Sequence, residues 1–345
     1  MTNFAFHKVL GRGSFGKVVL TSVPGRNIYM AVKMIKKREV NENIIMRERR
    51  ILLAARDCPF LCHLYAAHQS RKRAYFIMEY LSGDSLEALI ETYGSLNIDN
   101  ARFYTAEIVC GLQFLHGHNI IHRDIKPDNI MLDADGHIRI IDLGLAQDGV
   151  TSSNNISGVT GTFHYMAPEV LRKRGYGTAV DWWSLGIVVS EMATGHSPFY
   201  SGSVSKMAYR AITKGEPEIP SWLDADMQDL IKKLLCKTPQ KPVLEKHLMQ
   251  WPEEKKALNP MVGFNYVSPS WARVSANDHV SIILRDEPVP TAQNFVPPDP
   301  YLRSLLLFVT SAALEHHVSP YHLHIGPMPL CRCTRPFTLN PPILG

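Results

Sequence analysis

Long apolar runs are missing from this chain of 345 residues. The longest late one, Leu305 to Leu314, is about ten residues and contains Thr and Ser, too short to span a bilayer. Cysteine is scarce as well: Cys58, Cys62, Cys110, Cys236, Cys331 and Cys333 show no C-x-x-C pair, and nothing before Phe4 reads as a signal peptide. A disulfide framework is excluded, and a reducing, cytoplasmic setting is expected. No internal repeat is present. A strong excess of one sign of charge is absent, with 37 basic residues against 32 acidic ones and a net charge of +5. That excess demands no nucleic-acid partner, and none is expected. The densest basic run, Lys33 to Arg50, is interleaved with Glu39, Glu42 and Glu48 and reads as a helix face. What the chain does have is 45% hydrophobic residues, enough to bury the core of one two-lobed domain or two ordinary ones.

One stretch is dense in chemistry. Ile120 to Ala146 reads Ile-Ile-His122-Arg123-Asp124-Ile-Lys126-Pro-Asp128-Asn129-Ile-Met-Leu, then turns at Asp135-Gly136, then continues Ile-Arg-Ile-Ile-Asp142-Leu143-Gly144. An Asp, a Lys two residues on, an Asn three further and a second Asp after a hairpin set a base, a cation and two metal ligands around one phosphoryl group. Charge in such a transfer sits on oxygens, so the protein mainly positions groups and neutralises charge. Asp124 would orient the attacking hydroxyl and accept its proton, and Lys126 would face the phosphoryl. Asn129 and Asp142 would hold Mg²⁺, a hard cation that takes oxygen ligands.

Upstream, residues 4 to 35 read as strand, glycine turn, strand, strand. Gly11-Arg-Gly13-Ser14-Phe15-Gly16-Lys-Val18 is followed by another strand and then by Ala31-Val32-Lys33. A lone G-x-G-x-x-G also fits a Rossmann turn, but a strand after it selects a loop that covers phosphates. Asn41 to Arg56 has helical periodicity, and its Glu48 is expected to pair with Lys33 and hold it on the phosphates. Leu61 to Leu64 and Ala74 to Tyr80 read as strands, and Met78-Glu79-Tyr80-Leu81 leads into a connection expected to meet an adenine ring. From Ser85 onward the pattern is helical: Leu86 to Tyr93, Asp99 to His116, Val180 to Thr194 and Asp226 to Cys236. The fold class read from this order is α+β, a small β-rich lobe with one main helix (about 1–81) joined to a larger helical lobe (about 82–248).

Together these motifs, with Gly161-Thr162-Phe-His-Tyr-Met-Ala-Pro-Glu169 and Asp-Trp-Trp-Ser-Leu-Gly, resemble a eukaryotic serine/threonine protein kinase of the AGC group, nearest to protein kinase C-type catalytic domains. The resemblance covers residues 4 to 240 densely. It implies an ATP- and Mg²⁺-dependent enzyme that acts as a monomer on protein substrates. It also implies that Thr162 bridges Asp124 and Lys126, and that Leu10 and Met131 line the nucleotide site beside the residues above. Asp128 and Glu191 match positions that receive basic residues upstream of the acceptor in basophilic relatives.

Several positions depart from that pattern. Leu143 replaces a Phe. Gly158 stands where the family carries an activation-loop phosphothreonine, and Gln147 where it has a lysine for that phosphate. The usual phosphate switch is therefore expected to be absent, leaving Arg123 without that partner unless Ser157 or Thr160 substitutes. Pro242 occupies the place of the arginine that pairs with Glu169. Ser85 stands at an acidic ribose position, next to Asp84. Residues 249–275 read as a shortened AGC-like tail in which Phe264 and Tyr266 resemble a docking motif around Asn265. Residues 276–345 read as an irregular or disordered Pro-rich extension, whose cluster His316-His317, His322, His324, Cys331 and Cys333 matches no familiar four-ligand metal pattern. No regulatory module fits ahead of Phe4, so lipid or second-messenger control is not expected within this chain. The rival reading is a pseudokinase, a nucleotide- or protein-binding module with weak or no chemistry. Against it stands the full set Lys33, Glu48, Asp124, Lys126, Asn129 and Asp142.

Overall fold

Strands rich in β-branched and aromatic residues build the small lobe. The computed structural model describes residues 4–13, 16–25, 28–151, 154–199 and 206–238. Within these, β1 (Ala5–Gly13), β2 (Gly16–Ser22), β3 (Tyr29–Lys36), β4 (Leu64–Gln69) and β5 (Arg73–Glu79) form an antiparallel sheet in the order β1-β2-β3-β5-β4. Along β3 the period of two sends Met30, Val32 and Met34 to one face, where Ile77 joins them, and Ala31, Lys33 and Ile35 to the other. Helix α1 (Glu42–Ala54) is capped by Asn41, whose side chain accepts from Asn43 N–H at 2.8 Å.

The expected strand over Leu61 to Leu64 begins only at Leu64. Residues 60–62 turn their peptide groups to the other lobe instead: Ile140 N–H donates to Phe60 O at 2.8 Å and Cys62 N–H to Ile140 O at 2.9 Å. Pro59, which has no N–H and a fixed φ, directly precedes this segment and disfavours a strand start there.

Helices α2 (Leu86–Tyr93), α3 (Ile98–Gly117), α4 (Pro168–Leu171), α5 (Ala179–Thr194), α6 (Lys206–Lys214) and α7 (Ala225–Leu234) make the large lobe, with the hairpin β6 (Ile130–Leu132) and β7 (Ile138–Ile140) at the cleft. α3 and α5 are buried along most of their lengths and pack on each other, while α7 packs on α5. α6 had no counterpart in the sequence reading, since its short amphipathic run is broken up by Lys and Arg. Ser14, Phe15, Pro242, Phe264, Asn265, Tyr266, the late His and Cys residues and both C-terminal segments lie outside the described residues.

The β6–β7 turn is held from two sides. Asp133 Oδ1 accepts from Asp135 N–H at 3.0 Å and His137 N–H at 2.9 Å. Glu107 of α3, 1% exposed, accepts from Ile138 N–H at 2.9 Å and contacts His137 Nδ1 at 2.6 Å. Burial opposes a charged imidazole, but the Glu107 carboxylate outweighs it and pushes His137 up to about 9. A pKa raised on folding contributes stability below the unfolded value that is lost as pH rises through the folded one. Urea unfolding is therefore expected to show a loss on the order of 3 kcal/mol between pH 6.5 and 9, flattened in Glu107→Gln. An identical pH profile in that variant would contradict the assignment.

Candidate active site

The sheet register gathers one group of expected residues. Val18 lies opposite Lys33, and Ala31 lies opposite both Leu20 and Met78. Directly paired residues share a face, so Val18, Ala31, Lys33 and Met78 line the same side of the sheet. β1 and β2 meet at Gly11, Gly13 and Gly16, with Leu10 in β1. At Gly16, φ is +156° and a Cβ would sit 1.9 Å from Met34 O, so no other residue fits there. Leu81 is buried just beyond β5, and Met131 is half-buried on β6, bridged to Ser85. Ser85 caps α2, accepting from Ala88 N–H at 3.2 Å. The side chain of Glu79 points away from this face, toward His63 and Arg139.

Lys33 Nζ lies 2.6 Å from Glu48 Oε1 and 2.7 Å from Asp142 Oδ1. Burial disfavours the lysine charge, yet Glu48 and then Asp142 outweigh it and raise the ammonium above its ordinary range. Glu48 is 4% exposed, and burial pushes its carboxyl up against the pull of Lys33. What burial Asp142 has, with half its side chain open to solvent, acts the same way, but Lys33 wins and holds the carboxyl below its usual value. The expected pair is thus a three-membered chain joining β3, α1 and the end of the hairpin. Leu143, 1% exposed, lies in the turn against which α1 packs.

A second group forms around Asp124. Thr162 Oγ1 donates to Asp124 Oδ1 at 2.7 Å, and Lys126 Nζ donates to Thr162 Oγ1 at 3.2 Å while lying 3.7 Å from Asp124 Oδ2. Asn129 Nδ2 donates to Asp124 O at 2.8 Å and Oδ2 at 3.1 Å, which leaves its amide oxygen available to a cation. At Gly161 a Cβ would lie 2.3 Å from Arg123 O, so the backbone next to Thr162 closes on this loop only as glycine. Asn129 and Asp142 flank the hairpin, which Ile141 N–H closes on Asn129 O at 2.8 Å, and each carries a side-chain oxygen of the kind Mg²⁺ takes. Among the described residues no group of three or more His, Cys, Asp or Glu assembles as a metal site, and Mg²⁺ takes few protein ligands when phosphates supply the rest.

Residues that sequence reasoning left without a role hold this loop. Arg123 has φ +68° and Asp142 φ +57°, both left-handed and strained for non-glycine residues. Asp181 of α5, fully buried, accepts from His122 N–H at 2.9 Å, Arg123 N–H at 2.9 Å and His116 Nε2 at 2.8 Å. Burial raises this carboxyl, but the His116 hydrogen bond and the surrounding donors bring it below its ordinary value. Arg123 Nε donates to Leu145 O at 2.7 Å. Ser157 is exposed and Thr160 half-buried. Gln147 accepts from Arg47 Nη1 at 2.6 Å, and Arg50 pairs with Asp148 at 2.6 Å, so α1 is tied to the segment after Asp142 on both sides of Glu48. Glu169 is half-buried, burial raises its carboxyl, and no ion pair reaches it among the described residues.

Asp128 and Glu191 lie within electrostatic reach of each other and of Glu87 on α2, a third acid that sequence reading passed over. Glu191 accepts from Tyr165 O–H at 2.8 Å. Burial first, then Glu87 and Asp128, push Glu191 up to about 7 against that hydrogen bond.

The family model for the protein kinase domain matches residues 4–252, and the chain belongs to that family. Its relatives include the protein kinase C delta type of Rattus norvegicus, 42% identical over 245 residues (70% of this chain, 36% of that protein). The protein kinase C epsilon type of Oryctolagus cuniculus is 38% identical over 245 residues (70% and 33%), and the eta type of Homo sapiens 39% over 241 (69% and 35%). The chain spans about a third of the length of these curated relatives.

Asp181→Ala strands two buried backbone N–H groups and one imidazole N–H. Unfolding free energy is expected to fall by about 3 kcal/mol or more in urea titration. A change below about 1 kcal/mol would show that the loop does not depend on it.

Proposed function

We propose that the chain is a serine/threonine protein kinase that transfers the γ-phosphoryl of ATP to protein hydroxyls. The observation that carries this reading is the pairing of two charged groups across one cleft, Lys33–Glu48–Asp142 and Asp124–Thr162–Lys126–Asn129. Gly11, Gly13, Ser14, Phe15 and Gly16 cover the phosphates. Val18, Ala31, Met78, Leu81, Leu10 and Met131 enclose the base, with Glu79 at the connection. Lys33 fixes the α- and β-phosphates. Asn129 and Asp142 would hold Mg²⁺, which when bound would supply neutralisation of phosphate charge. Asp124 accepts the proton of the attacking hydroxyl, oriented by its bonds from Thr162 and Asn129, while Lys126 faces the charge on the transferring group.

A pseudokinase would have to retain the complete ion-pair and base machinery without use, so that reading is not favoured. Among the described residues no helix is long and apolar enough to cross a membrane, and Cys58, Cys62, Cys110 and Cys236 are free thiols. On our reading the chain acts on proteins as a cytoplasmic monomer, with 1–248 as kinase domain, 249–275 as tail and 276–345 as extension.

Single-turnover transfer from ATP·Mg²⁺ to an arginine-rich peptide tests the chemistry. Asp124→Asn is expected to lower it by roughly 10²-fold or more. Absence of transfer by the unaltered chain, with nucleotide binding intact, would leave the pseudokinase reading instead.

Asp128 and Glu191, joined by Glu87, give the basic-peptide preference. Glu191 near 7 is fully ionised only above neutrality. KM for a peptide with upstream arginines should therefore fall several-fold from pH 6 to 8, and that slope should vanish in Glu191→Gln. Equal slopes for peptides with and without arginines would remove the assignment.

A further inference from the structure

β7 carries one charged side chain into the interior. Arg139 is 7% exposed and lies opposite Met131 in the β6–β7 pairing, so both side chains leave the same face of the hairpin. Its Nη2 is 3.2 Å from Asp133 Oδ2, and its Nε is 3.7 Å from Glu79 Oε1. Nε and Nη1 have no hydrogen-bond partner among the described residues.

Glu79 ends β5, where the chain passes from the small lobe to the large one. It clamps a single residue: its carboxylate accepts from His63 N–H at 2.8 Å, and its own N–H donates to His63 O at 3.0 Å. The His63 ring is 3.7 Å from that carboxylate but does not neutralise it. Its Nε2 donates to Cys58 O at 2.9 Å, and burial lowers its pKa, which keeps the imidazole neutral. Charge compensation for Glu79 thus falls to Arg139. On the far side Asp133 is fixed by the turn, and Asn129 O accepts from Ile141 N–H at 2.8 Å, so this hairpin carries both Asn129 and Asp142.

We propose that Arg139 is a positioning residue for the nucleotide: wedged between Glu79 and Asp133, its guanidinium sets the strand end that meets the base relative to the hairpin that carries the metal ligands. This rests on the nucleotide reading above and adds to it a residue that touches no ligand. The guanidinium meets Asp133 through Nη2 at 3.2 Å and faces Glu79 through Nε at 3.7 Å, a spread of charge that a single ammonium does not reproduce. Without the cation, the half-buried carboxylates of Glu79 and Asp133 lose their shared counter-charge and repel each other. ATP spans both elements and senses that displacement. The peptide does not.

Wild-type chain, Arg139→Met and Arg139→Lys are compared by titration with a fluorescent ATP analogue and Mg²⁺, by steady-state kinetics and by thermal melting. Kd and KM for ATP are expected to rise roughly tenfold in Arg139→Met and less in Arg139→Lys, with peptide KM within about twofold of wild type. A lowered melting temperature with unchanged ATP Kd overturns the proposal, because that is the result of a purely structural role. If Arg139→Met does not fold, Arg139→Lys carries the test: an ATP Kd raised several-fold supports the proposal, and an unchanged ATP Kd overturns it. A wild-type chain that binds no nucleotide overturns the nucleotide reading together with this inference. Binding by the wild type that Arg139→Met matches overturns the inference alone.

Discussion

An ammonium shared by two carboxylates organises this molecule. Lys33, Glu48 and Asp142 come from a strand, a helix and a post-hairpin turn, and the sheet register, the Asn41 cap and the left-handed Asp142 all serve to bring them within 2.7 Å. Taking charges out of water is costly, and only close mutual contact repays it. Removal of Lys33 would leave the buried Glu48 carboxylate uncompensated, a loss of about 3–5 kcal/mol. That is a large share of the stability of an ordinary domain, so the small lobe, α1 and the turn at Leu143 are energetically one unit.

The second constraint is the backbone of the loop that bears Asp124. A left-handed residue costs about 1–2 kcal/mol, and the loop contains one at Arg123 immediately before Asp124. Two N–H groups donated to the buried Asp181 carboxylate, each worth about 1.5–3 kcal/mol, exceed that strain. α5 therefore does more than fill the core. It sets the direction in which Asp124 leaves the backbone.

Much of this was legible in the sequence, because spacing along one strand or loop encodes it. The period of two around Ala31 and Lys33, the Asp124-x-Lys126-x-x-Asn129 run and the hairpin to Asp142 are local patterns. The residues missed act across long separations. Asp181, Gln147 and Glu87 matter only because the fold brings them to loops distant in sequence, and as letters they are an ordinary acid, amide and helix-face charge. The misplaced strand at Leu61 has the same origin: its apolar residues read as a strand, while the pairing of residues 60–62 with Ile140 exists only in three dimensions. At Glu79 the motif identified the place correctly as a connection, yet nothing local said that its side chain would turn inward.

The two ties between α1 and the segment after Asp142 differ in kind. Arg50 and Asp148 form an ion pair whose arginine side chain is 65% exposed, whereas Arg47 meets the neutral amide of Gln147 in a partly buried setting. Mobile ions screen the first strongly and have little purchase on the second, since an amide carries no net charge. Ionic strength thus separates them: in concentrated salt the outer tie fades and the inner one persists, leaving the helix that bears Glu48 attached at the end nearest its ion pair.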